Sequence, residues 1–284
     1  MDSMPKLKVL IVGYGDLGSD IAGKLTCLGV HVFGVARGPR ATGEVDMIRA
    51  DVTAPESLGR LREIQPDIIV YCVAASGQTD AEYKQAYVDG LSNVLMTQAG
   101  NHQLKHVFFV SSTRVYGQQT DDILDETITP IATDFGGERL LEAESLLQQL
   151  ACGTTILRLS GIYGPGRLRM IQLAKATERW PQYNNWSNRI HRGDAASFVV
   201  FLIQKLLAGK TISPCYIVTD AKPVSQYEVL IWIASELALG HPEQLPVVGG
   251  KRLSNQLMMS SGFQLQYPDY QAGYHALLQE LSVD

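Results

Sequence analysis

A glycine-rich turn near the start of the chain constrains the fold more than any other feature of the sequence. The segment Gly13-Tyr14-Gly15-Asp16-Leu17-Gly18 directly follows an apolar run at 9–12 and precedes a helical pattern at 19–25. In such a strand–turn–helix unit the first glycine makes a tight turn, the second lets a pyrophosphate approach the backbone, and the third lets helix and strand pack. The helix N-terminus then offers N–H groups and its positive dipole end to phosphate oxygens. The turn therefore predicts a dinucleotide-binding unit.

The rest of the first 160 residues repeats this alternation of strands and helices. Several runs, such as those at 68–70 and 107–110, are continuously apolar, which is typical of parallel strands covered on both faces. We therefore predict an α/β fold, a doubly wound parallel Rossmann sheet, with residues 1–160 as the NAD(P)-binding domain. Strands are predicted at 6–12, 31–35, 47–49, 68–72, 106–111 and 154–159, and helices at about 16–28, 55–63, 80–101 and 134–150.

The pattern changes in residues 161–284. Residues 161–190 are rich in Gly, Pro, Arg, Asn and aromatic side chains, and no Gly/Ser linker separates them from what precedes. We expect this C-terminal part to complete the sheet and to form a small substrate-binding lobe. A strand is predicted at 215–218, and helices near 167–178, 194–208, 225–238, 254–261 and 271–282.

Composition argues against several other classes of protein. Hydrophobic residues make up 45% of the 284 and charged ones 19%, as in ordinary globular proteins. A net charge of -5 without a basic stripe argues against nucleic-acid binding. No apolar run is long enough for a bilayer, and the N-terminus lacks the layout of a signal peptide. Four scattered cysteines without a C-x-x-C pair predict buried free thiols and no metal site. We expect a cytoplasmic protein without membrane partners.

The end of the second predicted strand bears on the choice between NAD and NADP. NAD-binding units carry an acid there that holds a ribose 2′-hydroxyl. Here the strand ends in Ala36-Arg37-Gly38-Pro39-Arg40, which contains no acid. Arg37 and Arg40 can pair with a 2′-phosphate, although exposed arginines are often only solvated. We predict NADP as the preferred cofactor over NAD. Asp51, after the third strand, either contacts the adenine or caps the helix from 55.

Several collinear segments, spanning residues 6 to about 220, point to a known family. They are the glycine turn, Ala50-Asp51-Val52-Thr53, Val73-Ala74-Ala75, Ser111-Ser112-Thr113-Arg114-Val115-Tyr116-Gly117, Arg158-Leu159-Ser160-Gly161-Ile162-Tyr163-Gly164-Pro165-Gly166 and Arg189-Ile190-His191-Arg192-Gly193-Asp194. Together they resemble the extended short-chain dehydrogenase/reductases of the NAD(P)-dependent epimerase/dehydratase type, which act mostly on nucleotide sugars.

The resemblance and the glycine turn together imply two sets of binding residues. Cofactor contacts are expected at Gly13, Tyr14, Gly15, Asp16, Leu17, Gly18, Arg37, Asp51, Val52, Ala74 and Arg139. Substrate contacts are expected at Tyr163, Arg167, Arg189 and His191, with Arg169, Tyr183 and Trp186 nearby. Arginines and aromatic rings suit a phosphorylated or nucleotide-linked ligand, although Trp180, Tyr183 and Trp186 fit a structural core equally well. By resemblance only, helices 80–101 and 134–150 imply a homodimer.

The family's catalytic pair is altered in this chain. In the family a Ser or Thr of the serine segment works with Tyr-x-x-x-Lys, in which the Tyr is the acid and base and the Lys lowers its pKa. Ser112, followed by Thr113, matches the first position, whereas Phe135 and Arg139 occupy the Tyr and Lys positions. A phenylalanine transfers no proton and an arginine stays protonated. The pattern is similar to atypical family members that keep the cofactor loop and lose the tyrosine.

Two functions fit these observations. The first is an NAD(P)-dependent oxidoreductase, epimerase or dehydratase acting on a nucleotide sugar or a similar polar carbonyl or alcohol, with another acid in place of the tyrosine. Ser112, Thr113, Asp134 and Glu138 are candidates, although an acid at a helix N-terminus is usually a cap. The second is a non-catalytic NAD(P)-binding sensor or scaffold, which Phe135 favours. The sequence leaves both open.

Overall fold

The computed structural model describes residues 7–40 and 43–283. The strands are β1 (Lys8–Val12), β2 (His31–Ala36), β3 (Asp46–Arg49), β4 (Ile68–Tyr71), β5 (His106–Ser112), β6 (Ile123–Leu124), β7 (Gly153–Leu159), β8 (Gly161–Tyr163), β9 (Asn184–Ser187), β10 (Arg189–His191), β11 (Cys215–Val218), β12 (Val224–Ser225), β13 (Val247–Gly250) and β14 (Arg252–Leu253). The α-helices are α1 (Asp16–Cys27), α2 (Leu61–Ile64), α3 (Asp80–Tyr83), α4 (Gly90–Thr97), α5 (Phe135–Leu147), α6 (Arg169–Ala174), α7 (Arg192–Leu207), α8 (Gln226–Glu236), α9 (Gln256–Ser260) and α10 (Tyr270–Val283).

Seven strands form the central sheet, in the order β11-β7-β5-β4-β1-β2-β3. From β1 the chain first builds outward through β2 and β3, then returns to the other side of β1 with β4 and β5, all paired in parallel. The predicted doubly wound α/β fold is therefore confirmed. The reversal of direction beside β1 is the topological switch point, and ligands of such sheets bind there, outside the carboxyl ends of the strands.

The apolar runs lie at the centre of the sheet, as predicted. Every residue of β4 is buried, and in β1 only Lys8 is partly exposed. Strands covered on both faces cannot alternate polar and apolar residues, which explains their continuous hydrophobicity. The seven strands of the central sheet begin and end within two residues of the predicted ones, whereas the short strands β6, β8–β10 and β12–β14 were not predicted. The predicted start of the first strand, Lys6, lies outside the described residues.

The helix predicted at 80–101 is interrupted. Between α3 and α4 the chain makes a π-helical turn at Lys84–Asp89. The Tyr71 hydroxyl, which comes from β4, donates a hydrogen bond to the carbonyl of Ala86 within this turn. A side chain that takes a carbonyl out of the helical ladder produces this kind of bulge. The helix predicted at 55–63 is likewise divided, into a 3-10 turn at Pro55–Leu58 and α2.

The chain divides into two compact units. The first contains Met1–Gly117, Pro130–Arg158 and Ala196–Tyr216, and the second contains Gln118–Thr129, Leu159–Ala195 and Ile217–Asp284. The prediction placed a single boundary at residue 160, whereas these units interleave along the chain. The difference arises because most of α7 and the start of β11 belong to the first unit.

The second unit has its own hydrophobic core, built largely from aromatic residues around α8. Trp180 is part of this core and donates its indole N–H to the Leu173 carbonyl at 2.9 Å. Tyr183 is 67% exposed, and the Trp186 ring lies 5.2 Å from the Arg252 guanidinium. Of the three aromatic residues with two open roles, only Trp180 is therefore a core residue.

The thiol prediction holds only in part. All four cysteines are free, but Cys27 is exposed and the other three are partly exposed. Cys27 ends α1 at the surface, so an apolar sequence neighbourhood did not imply burial there. Within residues 7–40 and 43–283, no helix combines the length and apolarity that a membrane span requires.

Candidate functional site

The glycine turn after β1 has room for no side chain at two of its three glycines. Gly13 has a φ of +98°, and a Cβ there would lie 2.6 Å from backbone atoms of Cys72 and Val73. A Cβ at Gly18 would lie 2.4 Å from the carbonyl oxygen of Gly13. The Gly13 N–H donates to the Val35 carbonyl at 3.2 Å. Since backbone atoms on both sides cannot move aside, both positions require glycine.

Gly15 differs from these two because the space beside it is open. Among the described residues, nothing beyond its chain neighbours lies within 4 Å of a Cβ built there. Gly15 is also the N-cap of α1 and provides no side chain to cap the first turn. Backbone N–H groups at such a helix start bind phosphate oxygens that can approach a glycine closely. The turn thus fits the pyrophosphate of NAD(P). When bound, this cofactor supplies a nicotinamide carbon for hydride transfer.

Tyr14, Asp16 and Leu17 stabilise the turn from within. Tyr14 is buried, and its ring occupies the space beside Gly34, where a Cβ would lie 2.6 Å from the Tyr14 Cδ2 atom. Burial raises the pKa of Tyr14. The Asp16 carboxylate accepts a hydrogen bond from the Leu17 N–H at 2.8 Å, and Leu17 itself is buried. These three side chains shape the loop, and the N–H groups of Tyr14 and Leu17 are bonded to the Val35 carbonyl and the Asp16 carboxylate.

The other predicted cofactor residues lie at neighbouring strand ends. The Asp51 carboxylate accepts from the N–H and hydroxyl of Thr53, at 2.9 and 2.8 Å, so it caps its own turn rather than the helical turn at 55. Val52 is buried, whereas Ala74 is exposed just past β4. Arg37 is exposed at the end of β2.

An arginine that the sequence reasoning missed lies beside Arg37. The Arg49 Nε atom, at the end of β3, donates to the Arg37 carbonyl at 3.2 Å. The signal that could have identified Arg49 is the parallel pairing of β2 with β3, which places Arg49 opposite Ala36. Two arginines therefore lie next to each other at the carboxyl ends of β2 and β3.

Ser112 and Thr113 lie at the carboxyl end of β5. The Ser112 Oγ atom accepts a hydrogen bond from the Arg114 N–H at 3.1 Å, which leaves the hydroxyl proton available for donation. Thr113 is buried. Of the two predicted catalytic residues, the half-buried Ser112 is the more accessible.

The two acids considered as replacements lie in the first turn of α5. Asp134 is the N-cap, and its carboxylate accepts from the Gly137 N–H at 2.8 Å and from the Arg114 Nε atom at 2.9 Å. Partial burial opposes ionisation, but these donors hold the pKa of Asp134 below its ordinary value. Asp134 therefore has the capping role that is usual at its position, and Glu138 is an exposed first-turn acid.

Arg139, at the family's lysine position, is engaged by two carboxylates. Its Nε and Nη2 atoms donate to Asp80 at 2.7 and 3.0 Å, and its Nη1 atom donates to Glu142 at 2.6 Å. This bidentate arrangement is the strongest that a guanidinium makes with a carboxylate. A ribose contact from Arg139 would have to compete with these ion pairs, and it stays a prediction.

A second cluster that the sequence reasoning missed surrounds Phe135. The Tyr83 ring meets Phe135 edge-on, with ring centroids 5.4 Å apart. The Arg114 guanidinium lies 5.0 Å from the Tyr83 ring and 5.1 Å from the Phe135 ring. Its Nη1 atom donates to the Tyr83 hydroxyl at 2.8 Å. The signal that could have identified this cluster is the arginine inside the serine segment, between Ser112 and Tyr116.

In the second unit, three of the four predicted substrate residues are buried close together. The Tyr163 ring stacks on Tyr274 at 4.5 Å and meets His191 edge-on at 5.3 Å. Arg189 is buried, and its guanidinium lies 5.7 Å from the Tyr270 ring. Burial raises the pKa of Tyr274 to about 12 and that of Tyr163 still further. Neither phenol therefore ionises near neutral pH.

Asp220, which follows β11, lies near the same groups and was not predicted. Its side chain is buried, and its backbone N–H donates to the Arg189 carbonyl at 2.7 Å. Among the described residues, the Tyr163 hydroxyl and the Arg189 Nη1 atom have no hydrogen-bond partner, and neither Asp220 carboxylate oxygen accepts a hydrogen bond of ordinary geometry, although the backbone of Lys222 favours its ionised form. Burial raises the pKa of Asp220 to about 7, although Arg189 acts in the opposite direction. Such a buried, perturbed acid is typical of functional sites.

The fourth predicted substrate residue, Arg167, lines a cavity of about 420 Å³ in the second unit. Two guanidinium groups and one amide give this cavity several donors for anionic oxygens. Its lining residues are Ile162, Gly166, Arg167, Leu168, Arg169 and Gln172.

Asp194, the last residue of the collinear segment from Arg189, holds a distant loop. α7 begins at Arg192, two residues earlier, and the Asp194 carboxylate accepts from the N–H groups of Gln266 and Tyr267, each at 2.9 Å. It therefore binds a loop and does not cap the helix in which it lies. His191 stacks on Tyr267 with ring centroids 3.9 Å apart, so both polar residues help to position that loop.

The chain is similar to known proteins over nearly all of its length. It is 29% identical to Protein YeeZ of Escherichia coli K12, over 92% of this chain and 97% of YeeZ. It is 47% identical to a protein of known structure from Methylobacillus flagellatus assigned as an NAD-dependent epimerase/dehydratase, with a TM-score of 0.90 over 98% of this chain and 100% of that one. Bordetella bronchiseptica WbmG, solved with NAD and UDP, shares the fold, with a TM-score of 0.80 at 18% identity over 98% and 97% of the two chains.

A family model gives the final assignment. The model of the NAD dependent epimerase/dehydratase family matches residues 9–213, most of the chain. This match confirms the resemblance that the collinear segments carry. The chain belongs to the NAD-dependent epimerase/dehydratase family.

Proposed function

We propose that the protein is an NADP-preferring enzyme that acts on a nucleotide sugar or a similar polar carbonyl or alcohol. One observation carries this proposal. The chain belongs to this family, and at the start of α1 it has a glycine, Gly15, with open space beside it. The cofactor would lie along the carboxyl ends of the central strands, with its pyrophosphate at Gly15 and its adenosine toward Arg37.

The cavity beside Arg167 and Arg169 supports an anionic substrate. Guanidinium groups bind phosphate oxygens in bidentate fashion, as the diphosphate of a nucleotide sugar would require. WbmG, which shares the fold, was solved with UDP. A nucleoside diphosphate is therefore the substrate portion that we assign to this cavity.

Turnover tests the enzymatic proposal. Purified protein is incubated with NADP or NADPH and a panel of UDP-, GDP- and dTDP-linked sugars, and products are identified by mass spectrometry and NMR. We expect cofactor-dependent conversion of at least one sugar. Cofactor binding without conversion of any of them would instead support the second candidate, a non-catalytic NAD(P)-binding sensor or scaffold, which is favoured by Phe135 at the family's tyrosine position.

Substitutions in α1 test the cofactor site. Gly15→Ala adds a methyl group in open space, so the fold is expected to persist while NADP affinity falls at least about tenfold, or ~1.4 kcal/mol. Gly23→Ala is the matched control, because its Cβ also meets nothing within 4 Å but lies two turns further along the helix. Calorimetric titration measures both. Equal affinities of the two variants would contradict the placement of the pyrophosphate.

Arg37→Ala tests the preference for NADP. Loss of a charge-assisted hydrogen bond to the 2′-phosphate is expected to weaken NADP binding about 10- to 150-fold, since such bonds contribute about 1.5–3 kcal/mol. NAD, which lacks that phosphate, is the internal control, and its affinity is expected to stay unchanged. If the wild-type protein binds NAD and NADP equally, or if the variant weakens both equally, the role of Arg37 is wrong.

A further inference from the structure

The phenol of Tyr83 and the guanidinium of Arg114 form a hydrogen-bonded pair beside Phe135. The Arg114 Nη1 atom donates to the Tyr83 hydroxyl at 2.8 Å, and that hydroxyl donates to the Gln78 Oε1 atom at 3.3 Å. The first bond is charge-assisted and strong, whereas the second is long. The Arg114 Nη1 atom also donates to the Gln78 Oε1 atom at 3.3 Å, so an incoming carbonyl or hydroxyl oxygen that displaces Gln78 breaks two long bonds and leaves the short bond between Arg114 and Tyr83 in place.

Both members of the pair lie where the cofactor's reactive end is expected. Arg114 follows β5 by two residues, and its backbone N–H donates to Ser112. Gln78 belongs to the loop after β4, and Tyr83 ends α3, which that loop precedes. In a doubly wound sheet the dinucleotide crosses the switch point, here beside β1, so that its second half lies over the strands β4 and β5.

The surrounding residues leave room for this arrangement. A Cβ at Gly136 would lie 2.4 Å from the Arg114 guanidinium carbon, so only a glycine after Phe135 lets the guanidinium lie there. The Arg114 Nε atom is held by the Asp134 carboxylate at 2.9 and 3.1 Å. Arg114 is thus fixed from one side by an acid and presents Nη1 to the phenol.

We propose, on the basis of the proposed enzymatic function, that Tyr83 is the catalytic acid and base that takes the place of the tyrosine missing at Phe135, with Arg114 as its positioning residue. The Tyr83 and Phe135 rings are in contact, so the proposed catalytic phenol lies at the end of α3 instead of at the start of α5. Arg114 replaces the lysine in one respect, since its positive charge lies next to the phenolic oxygen throughout the reaction.

Other tyrosines of the first unit are less suited to this role. The Tyr71 hydroxyl is bound to the Ala86 carbonyl and fully buried, and the Tyr116 hydroxyl accepts from Arg158 inside the protein. Tyr87 lies one helical turn after Tyr83 and is the more exposed of the two; burial and the neighbouring Tyr83 raise its pKa, whereas a backbone hydrogen bond from Ala75 and the charge of Arg114 act in the opposite direction. Tyr83 is the phenol among these whose hydroxyl reaches a partly exposed guanidinium.

The proton balance follows the direction of the redox step. In reduction, a carbonyl carbon accepts a hydride from the reduced cofactor while its oxygen takes the Tyr83 hydroxyl proton, which leaves a phenolate that Arg114 stabilises. In oxidation, this phenolate takes the proton of the substrate alcohol while the hydride leaves for the oxidised cofactor. Each direction transfers one hydride and one proton: after reduction, solvent returns a proton to the Tyr83 phenolate, and after oxidation, solvent takes the proton that Tyr83 has received.

Kinetics of Tyr83→Phe, with Tyr87→Phe as the matched control on the same helix, test the proposal on any sugar that the wild-type protein converts. We expect Tyr83→Phe to lower kcat by about 10²–10⁴-fold, the usual contribution of general acid–base catalysis, with KM and NADP affinity within a factor of about two. Tyr87→Phe is expected to keep wild-type kcat within about threefold, well under that contribution. Full kcat in Tyr83→Phe would overturn the proposal while leaving the enzymatic function intact.

A spectroscopic measurement does not depend on turnover. In protein labelled with 3-fluorotyrosine, the ¹⁹F signal absent from Tyr83→Phe is assigned to Tyr83, and saturating NADP is expected to shift it more than that of Tyr87. Arg114→Met is expected to move the Tyr83 signal even without cofactor. A Tyr83 signal that stays unmoved when calorimetry shows NADP bound would overturn the proposal. Absence of NADP binding would show instead that the proposed function itself has failed, and the proposal with it.

Discussion

Glu144→Gln is expected to lower the free energy of unfolding by about 3–5 kcal/mol, because it leaves the charge of Arg158 buried without its partner. Oε1 of Glu144 accepts from Ser111 at 2.6 Å and from Arg158 Nε at 3.1 Å, and Oε2 accepts from Arg158 Nη2 at 2.7 Å. Glu144 is 5% and Arg158 7% exposed, so water cannot replace these bonds. Urea denaturation at pH 7 measures the effect.

Two further variants distinguish the effect of the buried pair of Glu144 and Arg158 from that of an exposed ion pair. Glu142→Gln, on the same helix, removes a partly exposed partner of Arg139 and is expected to cost less than about 1 kcal/mol. Replacing both Glu144 and Arg158 with methionine is expected to cost less than Glu144→Gln alone, since no uncompensated charge remains. A loss below about 1 kcal/mol in Glu144→Gln would contradict the network, because that is the size of an exposed pair.

The central sheet was predictable because its determinants are local. Apolar runs and the glycine turn specify β1, β4 and β5 without reference to distant residues. The break between α3 and α4 was not predictable in this way. It depends on the Tyr71 hydroxyl, which reaches the Ala86 carbonyl only once β4 and the helix have packed.

The same distinction divides the candidate site. The roles of Gly13 and Gly18 follow from a motif whose residues contact one another in sequence order. The partners of charged residues do not follow in this way: Arg139 pairs with Asp80, 59 residues away, and Asp194 binds a loop more than 70 residues away. The sequence therefore identifies candidate residues by type and spacing, whereas the tertiary fold determines which of them contact one another.

Asp220 shows how far a tertiary contact can change a residue's chemistry. Its carboxyl group is buried beside Arg189, and among the described residues neither of its oxygens accepts a hydrogen bond of ordinary geometry, although the backbone of Lys222 favours the ionised form. Burial raises the pKa of Asp220 from 3.8 to about 7, so the folded protein keeps a proton that the unfolded chain has already released. The stability that this proton provides is fully present below about pH 4 and is lost as the pH rises toward 7.

Asp220→Asn is therefore expected to remove a pH-dependent loss of stability. Relative to the wild-type protein, the variant is expected to gain about 1.4 kcal/mol per pH unit between pH 4 and 7, about 4 kcal/mol in total. The quantity to compare is the difference in free energy of unfolding between Asp220→Asn and the wild-type protein at each pH. Both proteins contain His106, whose effect on the pH dependence of stability is opposite to that of Asp220. Burial lowers the pKa of His106 to about 4, so its contribution to stability increases with pH.

Urea denaturation of the wild-type protein and of Asp220→Asn, from pH 4.5 to 8.5 at fixed ionic strength, measures this difference. Asp194→Asn is the matched control, because its carboxylate is equally buried but accepts two backbone N–H bonds. We expect Asp194→Asn to be less stable than wild type at pH 8 by about 1.5–3 kcal/mol, the value of a hydrogen bond to a charged group. A constant offset between Asp220→Asn and wild type would show that Asp220 is already ionised at acidic pH. A difference that grows with pH would mean that the second unit holds a proton near neutrality, in the same buried group of residues as Tyr163 and Arg189.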